Sequence, residues 1–222
     1  MKADVELIDQ STKIMVANGH FILQAHRFAD DDVSHAVRLM NWAELPPSAR
    51  VIDLGCGTGA IPFIWSQMRP DCEFTLVNIS QYQLDCCQDF GIKINCSMED
   101  VPVDDGVFDA ATCCFAIGHT DHQTSLYEMA RIVRRGGVVF IYDMVPDAAD
   151  VSHLSDLNYS VVSRSDMERM AKKAGLVLDF YMEPQNKGCL IEDQFREAYS
   201  RYFADVKPAI WRFTVGDWNA DV

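Results

Sequence analysis

The chain has 222 residues, 49% of them hydrophobic and 23% charged, with 33 acidic against 19 basic side chains and a formal net charge of −14. This length and balance suit one globular domain with a proper core. A surface this acidic repels a phosphate backbone or an anionic membrane, which makes nucleic acid a poor substrate class, and no run approaches the roughly 18 apolar residues of a membrane span.

The opening MKADVELIDQSTKIM lacks a basic stretch followed by an apolar run, so no export signal is read and a cytoplasmic location is expected. Residues 5–43 are mostly helix formers with apolar side chains three and four apart, among them Val5, Leu7, Ile8, Ala36, Val37, Leu39 and Met40. Asp30, Asp31 and Asp32 suit the first turn of the helix through Met40, and Pro46 and Pro47 end the section. Residues 50–54 read as a first strand, followed by the turn GCGTG and a helix from near Ala60. A second strand is expected at 73–79, a helix at 81–88, a weak third strand at 91–96 and an apolar fourth strand at 107–115. A helix at 124–133 is stopped by Gly136 and Gly137, and a fifth strand covers 138–144. Arg131, Arg134 and Arg135, the densest basic cluster, sit where cations suit a helix C-terminus. A helix at 165–174 with Ser163 as its cap, a strand at 176–182, a helix at about 192–203 and a strand at 210–215 complete the reading. The alternation predicts an α/β fold with a mostly parallel sheet and helices on both faces, its last two strands closing an antiparallel edge.

Cys56, Cys72, Cys86, Cys87, Cys96, Cys113, Cys114 and Cys189 include neither a CxxC nor a zinc-like Cys/His spacing. Without an export signal they are expected to be reduced, mostly buried thiols, and no metal is expected.

The sharpest signal is VIDLGCGTGAIPF, where Asp53 precedes Gly55, Gly57 and Gly59 on the way from a strand into a helix. Such glycines let the backbone turn tightly and approach a ligand, and the helix start offers an electropositive ledge. A dinucleotide fold would space its glycines GxGxxG, whereas here the third comes one residue early. The acid before the glycines would repel a pyrophosphate, but it suits the ammonium group of an amino-acid cofactor. DLGCGTG closely resembles motif I of class I methyltransferases.

The resemblance covers residues 48–145 and implies a Rossmann-like seven-stranded sheet, an N-terminal helical cap over 1–47 and a C-terminal part of sheet and substrate lid over 146–222. It implies S-adenosylmethionine as cofactor, held by Asp53, Gly55, Cys56, Gly57 and Gly59. TLVNISQYQLD looks like the second strand and helix of the family; Asn78, with Ile79, stands where most relatives carry a ribose-binding acid, and Gln83 helps hold the cofactor. This variant resembles the cyclopropane-lipid, sterol, tocopherol and terpenoid methyltransferases and some sugar O-methyltransferases. In CSMEDVPVDDGVFDAATC the adenine-contacting acid falls at Ser97; Met98 is placed to pack on the ring and Glu99 is the neighbouring acid. The backbone at Cys113 and Cys114 is expected to face the methionine part of the cofactor. SLYEMARIVRRGGVVFIYDM matches the family's helix, turn and fifth strand and carries no chemistry.

His119, in FAIGHTDH, is the first candidate base, since an imidazole titrates near neutral pH. A His occurs at about this place in the sugar O-methyltransferases with an Asp further on, and Asp121 and His122 fit that layout loosely. Tyr142, Asp143 and Met144 are expected as pocket wall, Tyr142 with a catalytic part. His20, Phe21, His26, Phe28 and Trp42 are expected in the lid, with Tyr159 and Tyr181 beyond it. Phe115 stands where many relatives carry a polar residue, which favours an apolar acceptor. Lys13, Arg27, Arg164 and Lys187 are scattered, and no Asp-rich magnesium motif occurs, so no diphosphate is inferred. The expectation is methyl transfer to oxygen or carbon of a small, apolar or secondary metabolite, with a homodimer allowed. The alternative is a protein that binds S-adenosylmethionine or S-adenosylhomocysteine without methyl transfer, or uses it for another reaction. An NAD-dependent dehydrogenase conflicts with the glycine spacing, and a DNA amino-methyltransferase conflicts with the charge and the lack of an NPPY or DPPY tetrad.

Overall fold

The computed structural model describes residues 3–17, 29, 31–185 and 203–216. His20, Phe21, His26, Arg27, Phe28, Lys187, Cys189 and almost all of the helix expected at 192–203 lie outside the described residues.

Two helices lead into the sheet, α1 (Val5–Ala17) and α2 (Asp32–Ala43). α2 starts where the aspartates predict, because Asp31 is its N-cap and accepts from Ser34 N at 2.8 Å. The alternating section follows as β1 (Arg50–Leu54), α3 (Ala60–Met68), β2 (Glu73–Asn78), α4 (Gln81–Cys86), β3 (Ile92–Asn95), β4 (Phe108–Cys114), α5 (His122–Ile132) and β5 (Val133–Pro146). α6 (Arg164–Lys173), capped by Ser163, then leads to the edge pair β6 (Leu176–Met182) and β7 (Val206–Val215).

The seven strands form one sheet in the order β3-β2-β1-β4-β5-β7-β6. β1, β2, β3, β4 and β5 pair in parallel, and β7 runs antiparallel to both β5 and β6. This is the predicted α/β architecture. Strand order reverses between β1 and β4, so their carboxyl ends open a crevice of the kind in which such sheets bind ligands.

Both faces of the sheet are covered, which is why β1 and β4 read as nearly unbroken apolar runs. Leu126 and Met129 of α5 and Met167 of α6 pack on one face against Ile52, Leu54, Cys113, Ile141 and Trp211. Leu39 of α2 and Trp65 of α3 pack on the other against Val51, Phe140, Tyr142 and Ile210. The Trp65 indole donates to Ala36 O at 2.7 Å and so locks α3 to α2 while satisfying a buried N–H. Among the described residues, no helix is long and apolar enough to cross a membrane.

Two strands run longer than the sequence pattern suggests. β5 begins directly after α5, and its register against β4 jumps from Phe108↔Val133 to Ala110↔Val138, so Gly136 and Gly137 lie in a bulge inside the strand. β7 begins at Val206 and carries Pro208 opposite Met144, in a central strand where a proline is unusual.

The two bulge glycines differ in kind. Gly136 has φ +68° with nothing within 4 Å of an added Cβ, whereas a Cβ on Gly137 would stand 2.7 Å from Asp109 O and 2.8 Å from Arg134 O. Gly136→Ala is expected to cost about 1–2 kcal/mol through the left-handed backbone. Gly137→Ala meets backbone oxygens that cannot step aside, and is expected to cost clearly more. Chemical denaturation of both variants checks the order; equal losses would mean that the bulge relaxes around the methyl group.

Candidate active site

The turn after β1 is built by three left-handed glycines, with φ of +73° at Gly55, +57° at Gly57 and +75° at Gly59. Gly55 N and Cys56 N both donate to Val77 O, at 2.9 and 3.0 Å, which folds the turn back over the end of β2. A Cβ on Gly55 would lie 2.3 Å from Ala116 Cβ, and one on Gly59 would lie 2.9 Å from Cys87 Sγ. Gly55 is therefore glycine so that the loop after β4 can approach, and Gly59 so that α4 can. Gly57 has nothing within 4 Å of that position and faces open space.

Asp53 lies beneath this turn with only 4% of its surface exposed. Its Oδ1 accepts from Thr112 Oγ1 at 2.5 Å, across the β1–β4 pairing in which the two residues are register partners. Burial pushes the carboxyl up to about 6, against the downward pull of the threonine bond. No cationic side chain among the described residues contributes to that shift.

At the end of β2, Asn78 Nδ2 donates to Gln83 Oε1 at 2.8 Å, and Asn78 Oδ1 accepts from Ser80 N at 3.0 Å. Helix α1 closes over this corner: Gln83 Nε2 donates to Thr12 Oγ1 at 2.6 Å, and Ser80 Oγ donates to Asp9 Oδ1 at 2.5 Å. Ile79 follows Asn78 and presents its carbonyl to Asn95 Nδ2 at 3.0 Å. Asp9, Thr12 and Thr112 were invisible as site residues, because only the fold brings them to these strand ends.

In the segment after β3, Met98 is buried in the core with its Cε beneath Gly55. Ser97 Oγ accepts from Glu99 N at 3.2 Å, and Glu99 Oε1 accepts from Asp121 N at 2.8 Å. Glu99 therefore ties this segment to the start of α5. Cys113 and Cys114 end β4 as predicted, and burial pushes both thiols well up.

The loop after β4 carries the residues expected on the acceptor side. Phe115 sits at φ +54°, an uncommon conformation for a bulky residue, with its ring edge-on to Tyr142 at 4.3 Å. Tyr142 is fully buried, burial pushes its phenol well up, and its ring also neighbours His35 at 5.5 Å. Asp121 is the N-cap of α5, accepting from Thr124 N and Thr124 Oγ1 at 2.8 Å each. The amide bond to its oxygen leads in holding that carboxyl below its ordinary value.

His119 is held in one tautomer. Its Nδ1 lies 3.0 Å from Asn158 O, and a carbonyl can only accept, so Nδ1 carries the proton and Nε2 keeps its lone pair. Burial lowers its pKa, the carbonyl bond opposing, which keeps the ring neutral. Ser160 N donates to Gly118 O at 2.8 Å, so residues 158–160 clamp the histidine turn from both ends.

Behind the histidine stands a pair the sequence placed only as wall and lid. Tyr159 meets the His119 ring at 4.7 Å and 89°, and its hydroxyl donates to Asp143 Oδ1. Asp143 Oδ1 also accepts from Met144 N at 2.7 Å, while Oδ2 is buried with no hydrogen-bond partner. Burial pushes this carboxyl up to about 6, with the Tyr159 bond pulling it down. Among the described residues, no cluster of His, Cys, Asp and Glu suits a metal ion.

A family model for the methyltransferase domain matches residues 52–141, from β1 to the middle of β5. Residues 52–141 carry a methyltransferase domain. It is 26% identical over 173 residues to the sterol methyltransferase-like 3 protein of Botryococcus braunii, a match covering 68% of this chain and 44% of that one. The chain thus spans less than half the length of that curated relative. Among solved structures, the methyltransferase domain superposes on the [4+2]-cyclase SpnF with a TM-score of 0.79 at 15% identity, covering 97% of each chain. It superposes on the geranyl diphosphate C-methyltransferase of Streptomyces coelicolor A3(2), solved with magnesium, geranyl diphosphate and S-adenosyl-L-homocysteine, with a TM-score of 0.69 at 17% identity over 82% of this chain and 80% of that one.

Removing the Tyr159 hydroxyl deprives the ionised form of Asp143 of a donor, so Tyr159→Phe is expected to raise that carboxyl above about 6. A raised carboxylic pKa leaves stability intact at acid pH and loses it as pH rises through the folded value. The variant should therefore lose more stability at pH 8 than near pH 4, with about 1–3 kcal/mol between the two losses. Thermal unfolding at the two pH values checks this, and an equal loss at both would assign the effect to packing instead.

Proposed function

We propose that this methyltransferase domain transfers the methyl group of S-adenosylmethionine to a small, largely apolar acceptor. The observation that carries the reading is the Asp53 carboxylate, buried without a cationic partner beneath a glycine turn whose middle residue faces open space. A buried carboxylate is costly unless paired, and the cofactor's ammonium group is the missing charge. Peptide N–H groups at the turn suit its carboxylate. Asn78 and Gln83, which bond each other at 2.8 Å, would exchange that bond for ribose hydroxyls. Met98 and the Ser97–Glu99 turn lie at the adenine end, and the ends of β4 at Cys113 and Cys114 lie at the methionine end.

When bound, the cofactor supplies a methyl group already activated on a sulfonium. The protein has to align it, exclude water and handle one proton. α1, through Asp9 and Thr12, closes the ribose corner. Phe115 and Tyr142 furnish an apolar, aromatic wall beside the crevice. Where the acceptor is a hydroxyl, Nε2 of His119 takes its proton, because Nδ1 is committed to Asn158 O and the neutral ring is favoured. Asp121, capping α5, serves that function through the helix it starts. Arg164 lies over the Tyr181 ring and pairs with Glu168, and Lys13 lies over Tyr82, so these cations are not gathered for a diphosphate. An uncharged isoprenoid or sterol-like acceptor, in keeping with the sterol methyltransferase-like relative, fits the wall best.

A second reading keeps the cofactor but not the transfer, as the name of the cyclase neighbour suggests for that protein. In its favour, neutral Asn78 and Ser97 stand at both places where an acid would grip adenosine.

Titration calorimetry with S-adenosylhomocysteine tests the cofactor site. Binding needs the Asp53 anion, and the free carboxyl titrates at about 6, so affinity should fall by up to tenfold per unit as pH drops below that value. Asp53→Asn should weaken binding at least tenfold, or about 1.4 kcal/mol, and abolish this pH dependence. Undiminished binding by the variant would remove the basis of the proposal. Turnover of labelled S-adenosylmethionine on a panel of isoprenoid and phenolic acceptors separates the two readings, since binding without any labelled product supports the second.

A further inference from the structure

We propose that Cys56 and Cys87 form an oxidisable thiol pair, a covalent modification site whose disulfide closes the glycine turn against its cofactor. The proposal rests on the reading of that turn as the cofactor cradle. Cys56 belongs to the turn itself, and Cys87 is the C-cap residue of α4. They are distant in sequence but both sulfurs converge on one atom, each standing 3.5 Å from Gly57 O. Each thiol donates to that carbonyl, and Cys87 Sγ also donates to Gln83 O at 3.4 Å. Both are packed with Leu76 and Leu84 in a small cluster of their own, apart from the two main cores.

The surroundings make the two sulfurs unequal. Lys93 Nζ donates to Cys87 O at 2.7 Å, which sets an ammonium beside this residue. With the Cys56 thiol beside it and Lys93 as nearby cation, the Cys87 thiol is held below its ordinary value and Cys56 well above it. Cys87 is therefore the attacking sulfur and Cys56 the resolving one. A hydroperoxide is the oxidant: the Cys87 thiolate attacks its outer oxygen, an S–O bond forms, the O–O bond breaks and water or an alcohol leaves. The Cys56 sulfur then attacks the Cys87 sulfenic acid, an S–S bond forms, the S–O bond breaks and a water leaves with the Cys56 proton. Two thiols lose two electrons in all, and one peroxide gains them.

The bond acts on the cradle because it must draw the sulfurs to about 2 Å. Asn78 Nδ2 lies 3.4 Å from Gly57 O and 4.0 Å from Cys56 Sγ, and a Cβ on Gly59 would already lie 2.9 Å from Cys87 Sγ. Pulling Cys56 toward α4 re-aims Gly57, the one turn glycine that faces open space, and disturbs the amide at the ribose corner.

The test treats the whole chain with hydrogen peroxide, maps disulfides by peptide mass spectrometry, and titrates S-adenosylhomocysteine before and after. The expected result is a Cys56–Cys87 peptide, at least a tenfold loss of binding, and recovery of binding on thiol reduction. Prior saturation with S-adenosylhomocysteine should slow formation of the bond. Cys87→Ser should keep its binding through peroxide, and Cys86→Ser should lose it like the parent. No linked peptide, a different linkage such as Cys113–Cys114, or full binding by the linked chain would overturn the proposal. The peptide map on the unaltered chain decides even where a variant fails to fold. A reduced chain that ignores S-adenosylhomocysteine would instead strike at the proposed function, while the map still reports on the thiol pair.

Discussion

A carboxylate kept out of water at the end of a central strand is the constraint around which this crevice is arranged. Asp53 is flanked by β2 and β4, lies under the glycine turn, and has one side-chain donor among the described residues, Thr112. Raising its pKa from 3.8 to about 6 corresponds to about 3 kcal/mol against the ionised form. That cost is absent at acid pH, where the folded chain keeps the proton, and appears as pH rises from the unfolded value through about 6. At neutral pH the free protein therefore holds an unfavourable charge, and a ligand that brings an ammonium group recovers it. On the proposed reading, preference for an amino-acid-bearing cofactor over a pyrophosphate has the same origin, because a second anion beside Asp53 would only add to the repulsion.

The rest of the crevice is made by loops brought within contact of that turn. The contact between Gly55 and Ala116 fixes how closely the β4 loop approaches, and through it where Phe115 and His119 stand. The 158–160 segment then holds the histidine turn by two backbone oxygens, Asn158 O as acceptor for the ring and Gly118 O as acceptor for Ser160 N. α1 reaches the opposite corner through Thr12 on Gln83, Asp9 on Ser80 and Lys13 over the Tyr82 ring. On the proposed reading such a cover can exchange partners when a ribose arrives, while the β4 side is packed into the core.

How much of this was legible depended on whether the signal was local. The glycine turn, the aspartate-led start of α2, the Ser163 cap and the run of parallel strands each follow from residues next to one another, and the structure has them at those places. β7 was read short because Pro208 breaks the strand pattern, although pairing with both β5 and β6 carries the strand through it. Gly136 and Gly137 read as a stop, and they do separate α5 from the straight part of β5, but as a bulge inside the strand. The Asp53–Thr112 bond needs the β1–β4 register, which the sequence does not contain. Asp143 was placed as pocket wall, and its link to Tyr159 joins two segments whose approach depends on the fold. His119 was found from its residue type and place after β4, but its tautomer follows only from the carbonyl of Asn158.

Asp53 and Asp143 repeat the same device on opposite sides of the sheet, and the comparison separates their tasks. Both are buried acids near the carboxyl ends of β1 and β5, the strands on either side of β4, both pushed to about 6 by desolvation and both eased by one hydroxyl donor. Side-chain alternation sets Asp53 on the face of Val51 and Asp143 on the face of Ile141. On the proposed reading a cofactor ammonium neutralises Asp53, so its cost is temporary. Asp143 is closed in by Tyr159, which fills the space over Gly118, and one of its oxygens has no hydrogen-bond partner. Its cost is permanent at neutral pH, and what it maintains is the orientation of Tyr159, against whose ring His119 stands edge-on. A protein that selected only for stability would replace such an acid by an apolar residue. That it stands directly behind the histidine ties this buried charge to the orientation of the ring proposed as base.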